Sequence, residues 1–222
     1  MNVWQGIHGV YSFFFWKHLL LFLCINYLER GINMPIRIFI DAGHNPGTIN
    51  AGASVNGVLE ADINYGVSQY LADILRMDNR FLVKLSRNSI TEVIGNDRDS
   101  SLRMRVDMAN NWPADYFLSI HCNYNNNPTI NGSEVYIYRG NTQAQWLAES
   151  ILQSLVDVVQ MNDNQIYVDP NLYVLRNTRM TANLIELGYM SNSSDLNKLV
   201  TQQLLFAIAI YFGLLEYFGL IN

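Results

Sequence analysis

The apolar positions of the chain alternate between strand-like runs and helical spacing. Residues 35–43, PIRIFIDAG, are an isoleucine-rich run closed by Gly43 and predict a strand. In EADINYGVSQYLADILR, 60–76, the apolar residues Ile63, Val67, Tyr70, Leu71, Ile74 and Leu75 recur at helical intervals. Residues 81–87 and 115–121 predict strands, separated by an amphipathic helix at 101–112 that stops at Pro113. A further strand is predicted at 133–139. A helix is predicted at 142–160, with Trp146, Leu147, Ile151, Leu155 and Val158 along one side. Residues 182–188, ANLIELG, read as a buried strand, and 194–218 as one long apolar helix. The run 204–221 has Glu216 as its single charge. A membrane tail is one reading of it; Gly213, Glu216 and the polar turns before it favour a core helix over a sheet face. The alternation as a whole predicts a layered α/β fold in a single domain, with sites where strand ends meet loops.

Residues 1–33 do not follow this pattern. YSFFFWKHLLLFLCINYL has the composition of a membrane segment, but Lys17 and His18 interrupt it. As a signal peptide it lacks a basic residue before Lys17 and an A-x-A-like cleavage site. Arg30-Gly31, just before Met34, can be encoded by a purine run resembling a ribosome-binding site. The reading is therefore a leader outside the fold, or upstream sequence translated in error, followed by one folded domain over 34–222. Membrane contact through 1–33 is the less favoured alternative. No repeat, linker or second domain that could serve as a binding module is read after Met34.

Composition narrows the partners. The chain has 222 residues, 50% hydrophobic and 15% charged, with a net charge of −5. It shows no basic stripe, which argues against nucleic acid. The two cysteines, Cys24 and Cys122, make neither a disulfide framework nor a CxxC zinc site.

Four polar residues stand out at element ends or inside apolar runs. His44 follows the first strand, Glu60 opens the helix at 60–76, His121 ends a strand, and Glu186 lies within LIELG. Two histidines and one glutamate form a known catalytic zinc set that leaves a position for water. If the strands before His44 and His121 are parallel neighbours, both rings meet at one sheet edge. A carboxylate buried in an apolar strand has its pKa raised, which suits Glu186 to proton transfer. Each residue also has a plainer reading: a turn residue for His44 or His121, and a helix-dipole acid for Glu60.

The motifs IDAGHNPG, LEADIN, SLRMRVDMANNWPAD, FLSIHCN, GSEVYIY and LYVLRNT…ANLIELGYMSNSSD occur in this order. Together they resemble the catalytic domain of zinc-dependent N-acetylmuramoyl-L-alanine amidases of the bacterial autolysin and phage-lysin type. The resemblance implies a twisted mixed β-sheet flanked by helices, with the zinc site at strand ends. It implies His44, Glu60 and His121 as ligands of Zn2+, and Glu186 as general base and acid for a zinc-activated water. Asn45 replaces the second glycine of the family's DAGHG. Alternation turns Cys122 away from His121 into the core, and returns Asn123 to the His121 face as a candidate substrate contact. Arg176 is a candidate for binding a substrate carboxylate. The implied substrate is peptidoglycan, at the amide between the lactyl group of N-acetylmuramic acid and L-alanine. The implied location is the bacterial cell wall or outside the cell, by an unread export route or by phage-lysin release. A stem-peptide peptidase and a binding module without turnover remain the alternatives.

Overall fold

The computed structural model describes residues 34–221, so the leader expected at 1–33 lies outside the described residues. The elements run β1 (Ile36–Ala42), β2 (Ser54–Val55), β3 (Val58–Leu59), α1 (Glu60–Arg76), β4 (Phe81–Leu85), α2 (Arg98–Asn111) and β5 (Tyr116–Asn123). They continue β6 (Ser133–Ile137), α3 (Gln143–Val159), β7 (Asp163–Val168), α4 (Tyr173–Asn177), β8 (Thr181–Tyr189), α5 (Ser193–Thr201) and α6 (Gln203–Tyr217). Six strands form one sheet in the order β4-β1-β5-β8-β6-β7. β4, β1, β5 and β8 are parallel, while β6 pairs antiparallel to β8 and parallel to β7. The sheet is thus mixed and flanked by helices, as expected.

The sequence explains why β1, β5 and β8 fill the centre. Each is paired on both edges, and each carries apolar residues on both faces, the pattern of a covered parallel sheet. On one face Phe39, Phe117, Ala182 and Leu184 pack with Val106 and Ala109 of α2 and Val174 and Leu175 of α4. Helices α1 and α3 pack against the strands, and α6 packs against both of them. Fully burying a residue such as Phe206, Ile210 or Leu214 of α6 contributes about 1.5–3 kcal/mol.

Three expectations change, and some elements are new. The long helix at 194–218 is two helices that meet at 86°. Gln202 leaves helical geometry at φ −126° and ψ 28°, and the turn lets α6 lie against α1 and α3 although hydropathy runs on through the break. Gly213 permits that approach, since a Cβ there would stand 2.7 Å from Ile151 Cα. The apolar residues of α6 are core residues, and no single helix among the described residues is long and apolar enough to cross a membrane. Trp146 and Tyr70 were expected on buried helix faces and are exposed; each lies at the margin of its stripe, where the side chain clears the sheet. The β2–β3 hairpin and strand β7 were unread. Asn56 and Gly57, both at positive φ, form the turn between β2 and β3.

Candidate metal centre

Parallel pairing of β1 with β5 brings the two histidines together at one sheet edge. His44 lies just beyond β1 and His121 near the end of β5; their rings are 4.8 Å apart, edge to face. Glu60 opens α1 between them. Its Oε1 is 3.2 Å from His44 Nε2 and 3.2 Å from His121 Nδ1. One ligand atom from each of the three residues lies within 4.8 Å of the others.

The donor set fits a divalent cation. Asn50 O, which can only accept, is 3.0 Å from His44 Nδ1, so that nitrogen carries the proton. In the neutral ring Nε2 then directs a lone pair at a carboxylate oxygen, an arrangement that a proton or a metal ion must bridge. Two glycines leave the room. A Cβ on Gly43 would fall 2.4 Å from His121 Nε2. One on Gly52, whose φ is +74°, would fall 2.6 Å from Glu60 Oε2 and from His44 Cδ2.

Glu60 is held from three further sides. Ala53 N–H donates to Oε2 at 2.9 Å, and Cys122 N–H and Asn64 Nδ2 donate to Oε1 at 3.1 and 3.2 Å. Burial opposes its charge, but hydrogen bonds from His121 and His44 hold its carboxyl well below the usual range. Burial lowers His121 below the usual imidazole range despite Glu60. For His44 burial also acts downward, and the hydrogen bond and charge of Glu60 raise it overall.

The turn that carries His44 is clamped from beneath. His44 has φ 62°, an uncommon conformation for a non-glycine residue. Arg105, buried on α2, donates to Ala42 O at 2.6 Å, to His44 O at 2.5 Å and to Asn45 Oδ1 at 2.9 Å. It also pairs with buried Asp41 at 2.5 Å. Arg87 adds bonds to Ala61 O at 3.0 Å and Ile90 O at 2.6 Å. The reading of single residues missed these two arginines; Arg105 lies in a helix with few apolar positions and Arg87 in the loop after β4.

Glu186 stands beside the cluster. It is the register partner of His121 in β5–β8 and of Glu134 in β6–β8. Its Oε2 is buried without a hydrogen-bond partner. Burial, then the charges of Glu60 and Glu134, raise its pKa well above the usual carboxylate value. Glu134, which received no role from sequence, accepts from Asn123 Nδ2 and Tyr136 Oη at 2.9 Å, from Asn164 Nδ2 at 2.5 Å and from Tyr189 Oη.

The other candidates separate. Cys122 is buried, its Sγ 3.4 Å from Asn64 Oδ1 on α1; burial and then the charges of Glu60 and Glu186 raise its thiol well above normal, so it stays protonated in the core. Asn123 faces Glu134, next to Glu186. Arg176 is exposed on α4, over the Tyr173 ring, and lines a cavity at the start of β8 rather than the metal cluster.

A sequence model described as N-acetylmuramoyl-L-alanine amidase matches residues 38–216. The N-acetylmuramoyl-L-alanine amidase CwlM of Bacillus licheniformis is 35% identical over 176 residues, covering 78% of this chain and 64% of CwlM. The uncharacterized protein YqiI of Bacillus subtilis is 34% identical over 169 residues, covering 75% and 76%. The chain thus spans somewhat under two thirds of CwlM, and only 31% of the B. subtilis amidase LytC. Among solved structures, an N-acetylmuramoyl-L-alanine amidase from Clostridium difficile 630 superposes with TM-score 0.74 at 29% identity, covering 86% of this chain and 100% of that one. The CwlD amidase of Clostridioides difficile, solved with the GerS lipoprotein, gives TM-score 0.77 at 25% identity, covering 84% and 100%.

Proposed function

The chain belongs to the N-acetylmuramoyl-L-alanine amidase family, and from that premise we propose that it hydrolyses the amide between the lactyl group of N-acetylmuramic acid and L-alanine in peptidoglycan. The observation that carries this reading is the convergence of His44, Glu60 and His121 beside a carboxylate, Glu186, with a buried oxygen lacking a partner.

His44, Glu60 and His121 would hold Zn2+, a borderline cation suited to imidazole and carboxylate donors. Bound there, the ion supplies Lewis acidity and an acidified water. Glu186 provides the proton traffic. Its raised pKa keeps it basic enough to take the proton of the attacking water and acidic enough to return it to the departing L-alanine amine. Glu60 stays ionised throughout, fixed by Ala53, Cys122 and Asn64. Asn123 lies close enough to Glu134 and β8 to meet the substrate beside Glu186. The action belongs at the bacterial cell wall or outside the cell, where the substrate is.

The test is mass spectrometry of purified peptidoglycan digested by residues 34–222, with and without a chelator. Stem peptides beginning with a free L-alanine amine, released only without chelator, support a zinc amidase. Cleavage inside the stem peptide would replace it with a peptidase.

A further inference from the structure

A cavity of about 470 Å³ opens at the start of β8, within the size range of small-ligand sites. Its wall includes Arg139 and Arg176 and no acidic residue. Both arginines are exposed, and among the described residues neither joins an ion pair. Two uncompensated guanidinium groups on one rim are unusual in a chain of net charge −5. Arg176 is steadied by the Tyr173 ring, with 5.9 Å from guanidinium to centroid. Thr142 and Thr181 add hydroxyls to the same wall.

Strand β6 runs from beside Glu186 toward the cavity. Glu134, opposite Glu186, is followed two residues on by Tyr136 within β6, and Tyr138, just past the end of β6, is part of the cavity wall. Between them Tyr136 is half-buried and stacks on Tyr167 with centroids 5.3 Å apart. Four residues of strand span roughly 13 Å. An extended peptide covers about 3.3–3.6 Å per residue, so the cavity receives groups three to four residues from the reacting amide.

We propose that this cavity is the subsite for the distal, carboxylate-bearing half of the stem peptide, with Arg139 and Arg176 as its recognition cations. The assignment rests on the amidase reading for its substrate class. A stem peptide carries free carboxylates beyond L-alanine, including its C-terminus, and arginine pairs with carboxylates in a two-pronged geometry. Arg176 is then a specificity residue remote from the reacting atoms.

Calorimetric titration of the full chain with the free stem tetrapeptide tests this, beside the same peptide with its carboxylates amidated. Binding needs no turnover, so the result is separate from the digest that tests the amidase reading. The acidic peptide should bind about tenfold more tightly than the amidated one, and Arg139→Ala and Arg176→Ala should each weaken it about fivefold. Arg176→Lys should fall between. Both arginines are exposed, so circular dichroism should show folded variants. Equal affinity for acidic and amidated peptides, no binding of either, or a double alanine variant that binds like the parent would overturn the proposal.

Discussion

Glu134 and Glu186 are directly opposed across the antiparallel pair β6–β8. Two carboxylates so placed repel, and the charge of Glu134 is the third cause, after burial and Glu60, of the raised Glu186 pKa. Glu134→Gln removes that charge, so Glu186 should ionise at lower pH. The acidic limb of the kcat/KM profile should move to lower pH in the variant. Because Glu134 accepts four hydrogen bonds, the same change should also cost about 2 kcal/mol of stability, read by denaturant unfolding. An unmoved acidic limb would detach Glu134 from the reaction.

Glu186→Gln keeps the shape and loses the base. The variant should retain metal in full, by elemental analysis, while turnover falls by about two to four orders of magnitude. Wild-type turnover in this variant would remove Glu186 from the mechanism.

Metal uptake should depend steeply on pH. His44 is raised above its ordinary value and Glu186 far above its own, so the metal-free protein holds protons that an arriving cation displaces. Affinity should fall as pH drops through the imidazole range. Titration with Zn2+ in buffers of different ionisation enthalpy should show net proton release. His44→Ala and His121→Ala should each abolish stoichiometric binding.

The buried pair Arg105–Asp41 supports the His44 turn from below. Burial alone would raise the Asp41 carboxyl; Arg105 first, and His121 after it, hold it below the usual range. A depressed pKa means that ionised Asp41 contributes stability above its unfolded value of about 4 and loses that contribution as pH falls. Arg105→Met strands the carboxylate and should cost about 3–5 kcal/mol at neutral pH. The loss should shrink toward pH 3 in thermal unfolding, because protonated Asp41 no longer needs the cation.

How much of this was legible follows from where the information lies. β1, β5 and β8 announce themselves as apolar runs, and the polar residue at the end of the first two and inside the third is conspicuous for that reason. His44, Glu60 and His121 are separated by gaps of very different length, so no local spacing rule joins them; the resemblance grouped them and parallel pairing brings them to one edge. Asn56-Gly57 is a direct hairpin signal that went unread because each flanking strand has two residues. β7 escaped because, as an edge strand, it keeps most of its side chains exposed and shows no buried stripe. The break at Gln202 is set by how α6 docks, a tertiary cause that hydropathy does not record. The roles of Glu134 and Arg105 depend on partners far along the chain, such as Tyr189 and His44.

The place of β8 in the strand order has a consequence for the newly made chain. β8 lies between β5 and the β6–β7 pair, although it is the last strand to be synthesised. β8 supplies the only ladders joining β4-β1-β5 to β6-β7 in this sheet, so without it nothing pairs the two sets of strands. All three candidate metal ligands precede it, while the carboxylate proposed for proton transfer arrives with it. On the proposed mechanism a truncated chain that stops short of β8 lacks the carboxylate that takes the water's proton, so it should leave peptidoglycan uncut, and the strand that completes the sheet would also complete the site.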